Sequence, residues 1–142
     1  MGGQADPDCI FCKIAAGQIP CHKLYEDDQV LAFLDVGPLS EGHTLIIPKA
    51  HYVTIDQMPA DLAAACMAVV PALSRAIVAA TGAEGWNVLQ NNGRISGQAV
   101  DHVHVHIIPR RSGDGLGYRW PAGNLTDEDA QRLTEAVIRE LA

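Results

Sequence analysis

The sequence predicts an α+β fold built on an antiparallel sheet. Short strand-like segments follow one another as hairpins, and one long amphipathic helix separates two groups of them. The regular strand–helix alternation of a parallel sheet is missing.

The elements are legible in order. "CIFCKIAAGQIP" opens the ordered part with a short helix near Phe11, which Gly17 and Pro20 bring to an end. "KLYEDDQVLAFLD" reads as a hairpin: Lys23–Glu26, a tight turn at Asp27–Asp28, and a mostly buried strand over Val30–Asp35. After the loop "VGPLSEG", "HTLIIP" is a further strand, expected to stop at Pro48. Residues 60–81 are the clearest helix. At about 100° per residue, Leu62, Ala65, Cys66, Val69, Val70, Leu73 and Ile77 fall on one stripe. Pro71 lies on the opposite side, where it predicts a bend with the ring outward, and Gly82 supplies the stop. "GWNVLQNNG" is a strand ending in a turn, and "RISGQAV" is a loop of small residues. "DHVHVHIIPR" is the next strand, expected to stop at Pro109, and an irregular glycine-rich stretch follows it. Thr126 caps a last amphipathic helix, Asp127 to Leu141, with acids in its first turn.

Composition narrows the function. At 142 residues with 48% hydrophobic residues, the chain is long enough for one domain with a real core. The longest apolar run, near Leu62–Val70, is read as too short for a membrane span. The opening "MGGQADPD" lacks the pattern of a signal peptide, so the expected compartment is the cytoplasm. A net charge of −7, with no basic cluster denser than Arg110–Arg111, argues against nucleic acid as a partner.

The histidines carry the chemistry. In an extended strand His102, His104 and His106 share one face, while Val103, Val105 and Ile107 take the other. Neighbours along that row are roughly 6–7 Å apart and the outer two about 13 Å. One ion with bonds near 2 Å cannot take all three without distorting the strand, so at least one histidine has a different task. A row of neutral imidazoles suits nucleophilic and acid–base chemistry at neutral pH. The preceding "NNGRISGQAV" offers Asn91 and Asn92 as donors and a glycine-bracketed loop whose N–H groups can cradle an anion. A nitrogen nucleophile beside an anion cradle points to phosphoryl or nucleotidyl transfer.

"HVHVHII" resembles the mark of the histidine-triad superfamily, His-φ-His-φ-His-φ-φ with φ apolar. The likeness continues through "CIFCKI", "GQIP", "YEDDQVLAFLD", "GHTLIIPKAHY" and "NNG" to "GQAVDHVHVHIIPR", about residues 9–111. It is similar to the bacterial Hint-type branch: nucleoside phosphoramidases and nucleotide hydrolases that work as homodimers. The resemblance implies one such domain over 1–142, with residues 112–142 an irregular segment and an additional helix. It also implies a five-stranded antiparallel sheet, joined across a homodimer into a ten-stranded one. His104 would attack the α-phosphorus and carry the nucleotide. His106 and Asn91 would hold phosphate oxygens with backbone N–H groups around Gln98 and Ala99, and His43 would stand near the leaving group. Asp35 would bind the ribose hydroxyls of a purine nucleotide. Ile10, Phe11, Ile14, Ile19, Phe33, Leu34 and Val36 would sandwich the base, though several of them serve equally as plain core.

Two departures stand out. Relatives often carry Ser or Thr where Ala99 stands, so only the backbone N–H remains there. "RWPAG" resembles a Trp-Pro-Pro-Gly ending but sits further from the triad, which separates Trp120 from the specificity role that ending has. Phosphorylase and nucleotidyltransferase relatives place glutamine at the position of His106, so histidine here favours water as acceptor. Two other readings stay open: a diadenosine polyphosphate hydrolase, and a non-catalytic nucleotide- or zinc-binding interaction protein.

"CIFC" is a C-x-x-C without the βαβ context of a redox motif. Cys9, Cys12, His51 and His102 could supply the four donors of a structural zinc, as related zinc-containing members do. Unmetallated thiols are the alternative. Cys21 and Cys66 read as ordinary small residues.

Overall fold

The computed structural model describes residues 2–117 and 119–142. Five strands form one antiparallel sheet in the order β1-β2-β3-β5-β4: β1 (Lys23–Glu26), β2 (Val30–Leu34), β3 (Thr44–Pro48), β4 (Gly85–Gln90) and β5 (Val105–Arg110). Helices α1 (Ile10–Ala15), α2 (Ala60–Ala68), α3 (Val70–Thr81) and α4 (Asp127–Leu141) complete the chain.

Strand β2 is apolar throughout and β3 is apolar after Thr44, because both strands are covered on both faces. Alternation sends Val30, Ala32 and Ile46 to one side, with Val103, Val105 and Ile107, where Leu62, Cys66, Val70 and Ile77 pack over them. Leu31, Phe33, Leu45 and Ile47 face the other side, against Cys9, Phe11 and Cys12 of the α1 region. The helix–sheet core therefore lies on one face, and the histidine side of β5 shares its face with α1.

The predicted long helix is interrupted at Val69. Pro71, in the first turn of α3, has no N–H to give the preceding turn, and it is exposed as the wheel predicted. The stripe itself holds, with Leu62, Cys66, Val70 and Ile77 buried. Counted together, α2 and α3 make a 22-residue run long and apolar enough for a membrane span, which corrects the reading from residues 62–70 alone. Here the apolar stripe of that run is packed on the sheet.

Of the two prolines expected to stop strands, Pro48 does end its strand, whereas Pro109 lies inside one that runs on to Arg110. Pro48 is the last residue of β3, opposite Val30. Pro109 pairs with Trp86 inside β5, and its carbonyl accepts from Ser40 Oγ at 2.7 Å. N–H and C=O of one strand residue point the same way. The missing donor of Pro109 therefore faces the side where β3 has already ended, and no ladder bond is lost. The larger correction concerns the histidine row. Ladder pairing begins at Val105, so His102 and His104 precede β5 and only His106 lies within it.

Helix α4 has the predicted bounds, and Thr126 Oγ1 accepts from the Asp129 N–H at 3.1 Å. Leu133, Val137, Ile138 and Leu141 along it are exposed.

Gly42 closes the turn that delivers His43 to β3. Its φ is +89°, and a Cβ there would lie 2.8 Å from Thr81 Cγ2 and 3.2 Å from Ile77 Cγ2. Both the backbone and the space forbid a side chain. Gly42→Ala is expected to lower stability by about 1–3 kcal/mol, read by chemical unfolding; a change smaller than a few tenths would contradict this account.

Candidate active site

Two clusters of chemical groups lie on the α1 face of the sheet, joined by residues 102–106. The first is the four-donor set. Cys9 begins α1 as its N-cap, its Sγ accepting from the Cys12 N–H at 3.4 Å, so the C-x-x-C turn points both sulfurs the same way. His102 is fully buried and donates from Nε2 to the Pro48 carbonyl at 2.8 Å. A carbonyl only accepts, which leaves the Nδ1 lone pair of His102 free. That Nδ1 lies 3.4 Å from Cys9 Sγ, 3.6 Å from Cys12 Sγ and 3.2 Å from His51 Nδ1. Cys12 Sγ to His51 Nδ1 is 3.3 Å.

A tetrahedral ion with bonds of about 2.0 Å to nitrogen and about 2.3 Å to sulfur spaces its ligands by roughly 3.3–3.8 Å. The observed spacings match this closely, so the cluster could hold a metal ion. Burial, with neighbouring rings adding, pushes His102 down to about 4 against the pull of the Pro48 carbonyl, keeping it in the neutral, ligating form. Burial pushes the Cys12 thiol up, a direction that a bound cation reverses.

The second cluster is Asp35, His43, His104 and His106. His104 donates from Nδ1 to the His102 carbonyl at 2.8 Å, so the lone pair of its neutral ring is on Nε2. His43 is buried, and its Nδ1 accepts from the Leu39 N–H at 3.0 Å. Its Nε2 therefore carries the proton and donates to His106 Nδ1 at 2.9 Å, which in turn leaves an N–H on His106 Nε2. Burial first, then His104 and His43, pushes His106 down to about 4. Burial also lowers His43, offset in part by Asp35, whose Oδ2 is 3.7 Å away. The His104 and His106 rings are 4.8 Å apart between centroids.

These groups open on a cavity of about 350 Å³. Ile10, Phe11, Ile14, Ile19, Phe33, Leu34, Asp35, Val36, Ala99, His104 and His106 all line it, so the residues picked from the sequence for base, ribose and phosphate are brought together. Three others stand apart. His43 is behind His106 rather than in the wall. Asn91 follows the end of β4 and packs beside Gly97. Gln98 is buried as a brace: its side chain bonds the Gly93 N–H and the Val53 and Val100 carbonyls, and its own N–H donates to the Gly93 carbonyl. A larger hollow of about 740 Å³ between the N-terminal residues and Tyr52 is lined by one histidine, His51, whose Nδ1 is turned to Cys12 Sγ and His102 Nδ1 of the four-donor set.

Pro20, Cys21, Leu45 and Val100 also line the cavity and were not singled out from the sequence. Leu45 had a signal, since it follows His43 by two on one strand face. Phe11 does more than its hydrophobicity implied. Its ring meets both His102 and His104 edge-on, at 5.8 and 5.1 Å between centroids.

The HIT domain family model matches residues 16–113. The chain is 48% identical over 140 residues to adenylylsulfatase HINT3 of Arabidopsis thaliana, covering 94% of this chain and 70% of that protein. It is 46% identical over 134 residues to adenosine 5'-monophosphoramidase hnt1 of Schizosaccharomyces pombe, covering 94% and 98%. Among solved structures, a HIT family member from Bacillus subtilis superposes with a TM-score of 0.89 at 44% identity, covering 95% and 98%. A Zn-bound histidine triad family protein from Mycobacterium smegmatis superposes with a TM-score of 0.73 at 37% identity, covering 94% and 95%.

The neutral, half-buried His106 has a pH consequence. Its ring titrates near 6.5 when unfolded and near 4 when folded. Between those values the unfolded chain binds more protons, so stability is full above about pH 6.5 and falls as the pH drops toward 4. Denaturant unfolding from pH 7 to 4 is expected to show a shallower loss for His106→Asn than for wild type; equal slopes would contradict it.

Proposed function

The chain belongs to the HIT-domain, or histidine-triad, family, and from that premise we propose a hydrolase that cleaves nucleoside 5′-monophosphoramidates at the α-phosphate. The observation that carries this reading is the hydrogen bond from His104 Nδ1 to the His102 carbonyl, which leaves Nε2 as the unshared lone pair of a ring lining the cavity. Relatives described as adenosine 5'-monophosphoramidase and adenylylsulfatase support the substrate class, since both names describe an adenylyl group leaving a nitrogen or oxygen partner.

In this mechanism His104 Nε2 attacks the α-phosphorus, and a P–N bond forms to the ring as the bond to the leaving group breaks. A departing amine takes its proton from solvent. Water then attacks the same phosphorus, the bond to Nε2 breaks, the proton of the water passes to solvent and the nucleoside monophosphate is free. The N–H of His106 Nε2 and the Ala99 N–H hold non-bridging oxygens, where negative charge gathers in the transition state. His43 acts through His106 as a positioning residue. Asp35 accepts from the ribose hydroxyls, and the apolar walls from Ile10 to Ile19 and Phe33 to Val36 enclose a purine.

We assign structural zinc to Cys9, Cys12, His51 and His102, on the donor spacing above and on the Zn-bound family structure. When bound, the ion supplies cross-linking of α1 to residues 51 and 102 rather than chemistry on the substrate. The four free cysteines suit a reducing compartment such as the cytoplasm. The exposed edge of β4, with Trp86 and Val88 at its surface, suits a homodimer with a continuous ten-stranded sheet.

Wild type is expected to release amine from adenosine 5′-phosphoramidate and to carry a nucleotidyl adduct in rapid-quench mass spectra. His104→Ala is expected to lose about 10³-fold or more in turnover. Equal turnover by the two proteins would sink the nucleophile; faster turnover of diadenosine triphosphate would move the assignment to dinucleotides. Binding of AMP with no turnover would favour the interaction-protein reading. Metal analysis should find one zinc per chain, and Cys9→Ser should lower that occupancy.

A further inference from the structure

The nucleophile is not held by the sheet. Strand β5 is paired with both neighbours only from Val105 onward, and His104 precedes it. Ahead of the ladder, the backbone is tied by the Val103 N–H to the Tyr52 carbonyl and by the His102 N–H to the Val100 carbonyl, both at 2.8 Å. Tyr52 is the neighbour of His51, a donor of the first cluster. His102 occupies both clusters at once: its ring nitrogen faces the two sulfurs and His51, while its carbonyl accepts the proton that sets the tautomer of His104. Phe11 sits between Cys9 and Cys12 in the chain and lies edge-on to both rings.

We propose that the Cys9–Cys12–His51–His102 cluster is a positioning device for the nucleophile, and that occupancy by a divalent metal sets the aim of His104 through the His102 carbonyl and the Phe11 ring. This rests on reading His104 as the nucleophile. With a cation among the four donors, α1, residue 51 and residue 102 are fixed to one point. His102 O and Phe11 then cannot move relative to the His104 ring. Without it, the donors are linked only by weak S–H and imidazole contacts, and residues 101–104 have no ladder to hold them. A displacement near 1 Å at a reacting atom costs roughly 10²-fold in rate.

The test uses the full chain loaded with zinc, the same protein stripped by chelator under reductant, and the variants His51→Ala and His51→Cys. Three readouts are taken: the single-turnover rate of nucleotidyl-His104 formation at saturating adenosine phosphoramidate, the hydrogen exchange of the Val103 amide, and the ¹⁵N ring signals of His104. Saturation removes any change in substrate affinity. The stripped protein is expected to react about 10²-fold slower, to exchange Val103 faster, and to lose the single Nδ1–H tautomer, with all three restored by zinc. His51→Ala, assayed without added metal, is expected to follow the stripped protein and serves as the lesion if stripping unfolds the chain. His51→Cys keeps four donors and is expected to regain the metal occupancy and the Val103 protection that His51→Ala loses. Folded, metal-free protein that reacts within twofold of the loaded form, or whose His104 ring signals are unchanged, would overturn the proposal. If the nucleophile reading itself fails, His104→Ala reacts as fast as loaded wild type. If only the positioning fails, His104→Ala is inactive while stripped and loaded wild type react alike.

Discussion

The hydrogen bond from His104 Nδ1 to the carbonyl of His102 is the contact on which the site depends. An imidazole has two nitrogens, and a neutral ring gives its lone pair to only one. Tying Nδ1 to a carbonyl settles which. The same rule operates twice more nearby. The Pro48 carbonyl turns the lone pair of His102 toward the sulfurs, and the Leu39 N–H on His43 makes the far nitrogen of His106 a donor. Three backbone groups thereby assign three different tasks to side chains of one residue type.

The fold keeps these groups buried without exposing them to the main core. The sheet is covered on one side by α2 and α3, whose stripe packs on Val105 and Ile107, and on the other by α1. Backbone alternation does the sorting: each apolar residue between the histidines anchors the segment to the helical side, so the rings must face α1. Burial on that face pushes His102 and His106 down to about 4 and keeps both neutral. One is thereby ready to ligate and the other to donate.

Much of this was legible in the residues. The hairpin, the helix stripe, the α4 cap and the bounds of that helix follow from periodicity and capping chemistry, which are local. Strand spacing alone argued that one ion could not take His102, His104 and His106 together. The donor set that draws off His102 came from the C-x-x-C and the resemblance, and the structure brings those four residues within reach of one another. Other features were beyond that reach. Pro48 ends β3 as expected, but Pro109 looked like a strand stop only because the ladder side of a proline depends on where the neighbouring strand ends. The resemblance pointed to backbone N–H groups around Gln98, and only the structure shows that its side chain braces Gly93, Val53 and Val100 while its own N–H donates to the Gly93 carbonyl.

By itself the sequence determined the element types, the apolar faces and the residue chemistry of both clusters, because helix and strand periods and side-chain functional groups are properties of the chain. Tertiary structure decided where the β5 ladder begins, which histidine nitrogen carries each proton, and that His43 stands behind His106 instead of in the cavity wall. Those outcomes depend on Pro48 and Tyr52, which lie about fifty residues from the groups they constrain, and on His43 meeting His106 from another part of the chain. No local pattern encodes contacts of that kind; they exist only once the sheet has closed.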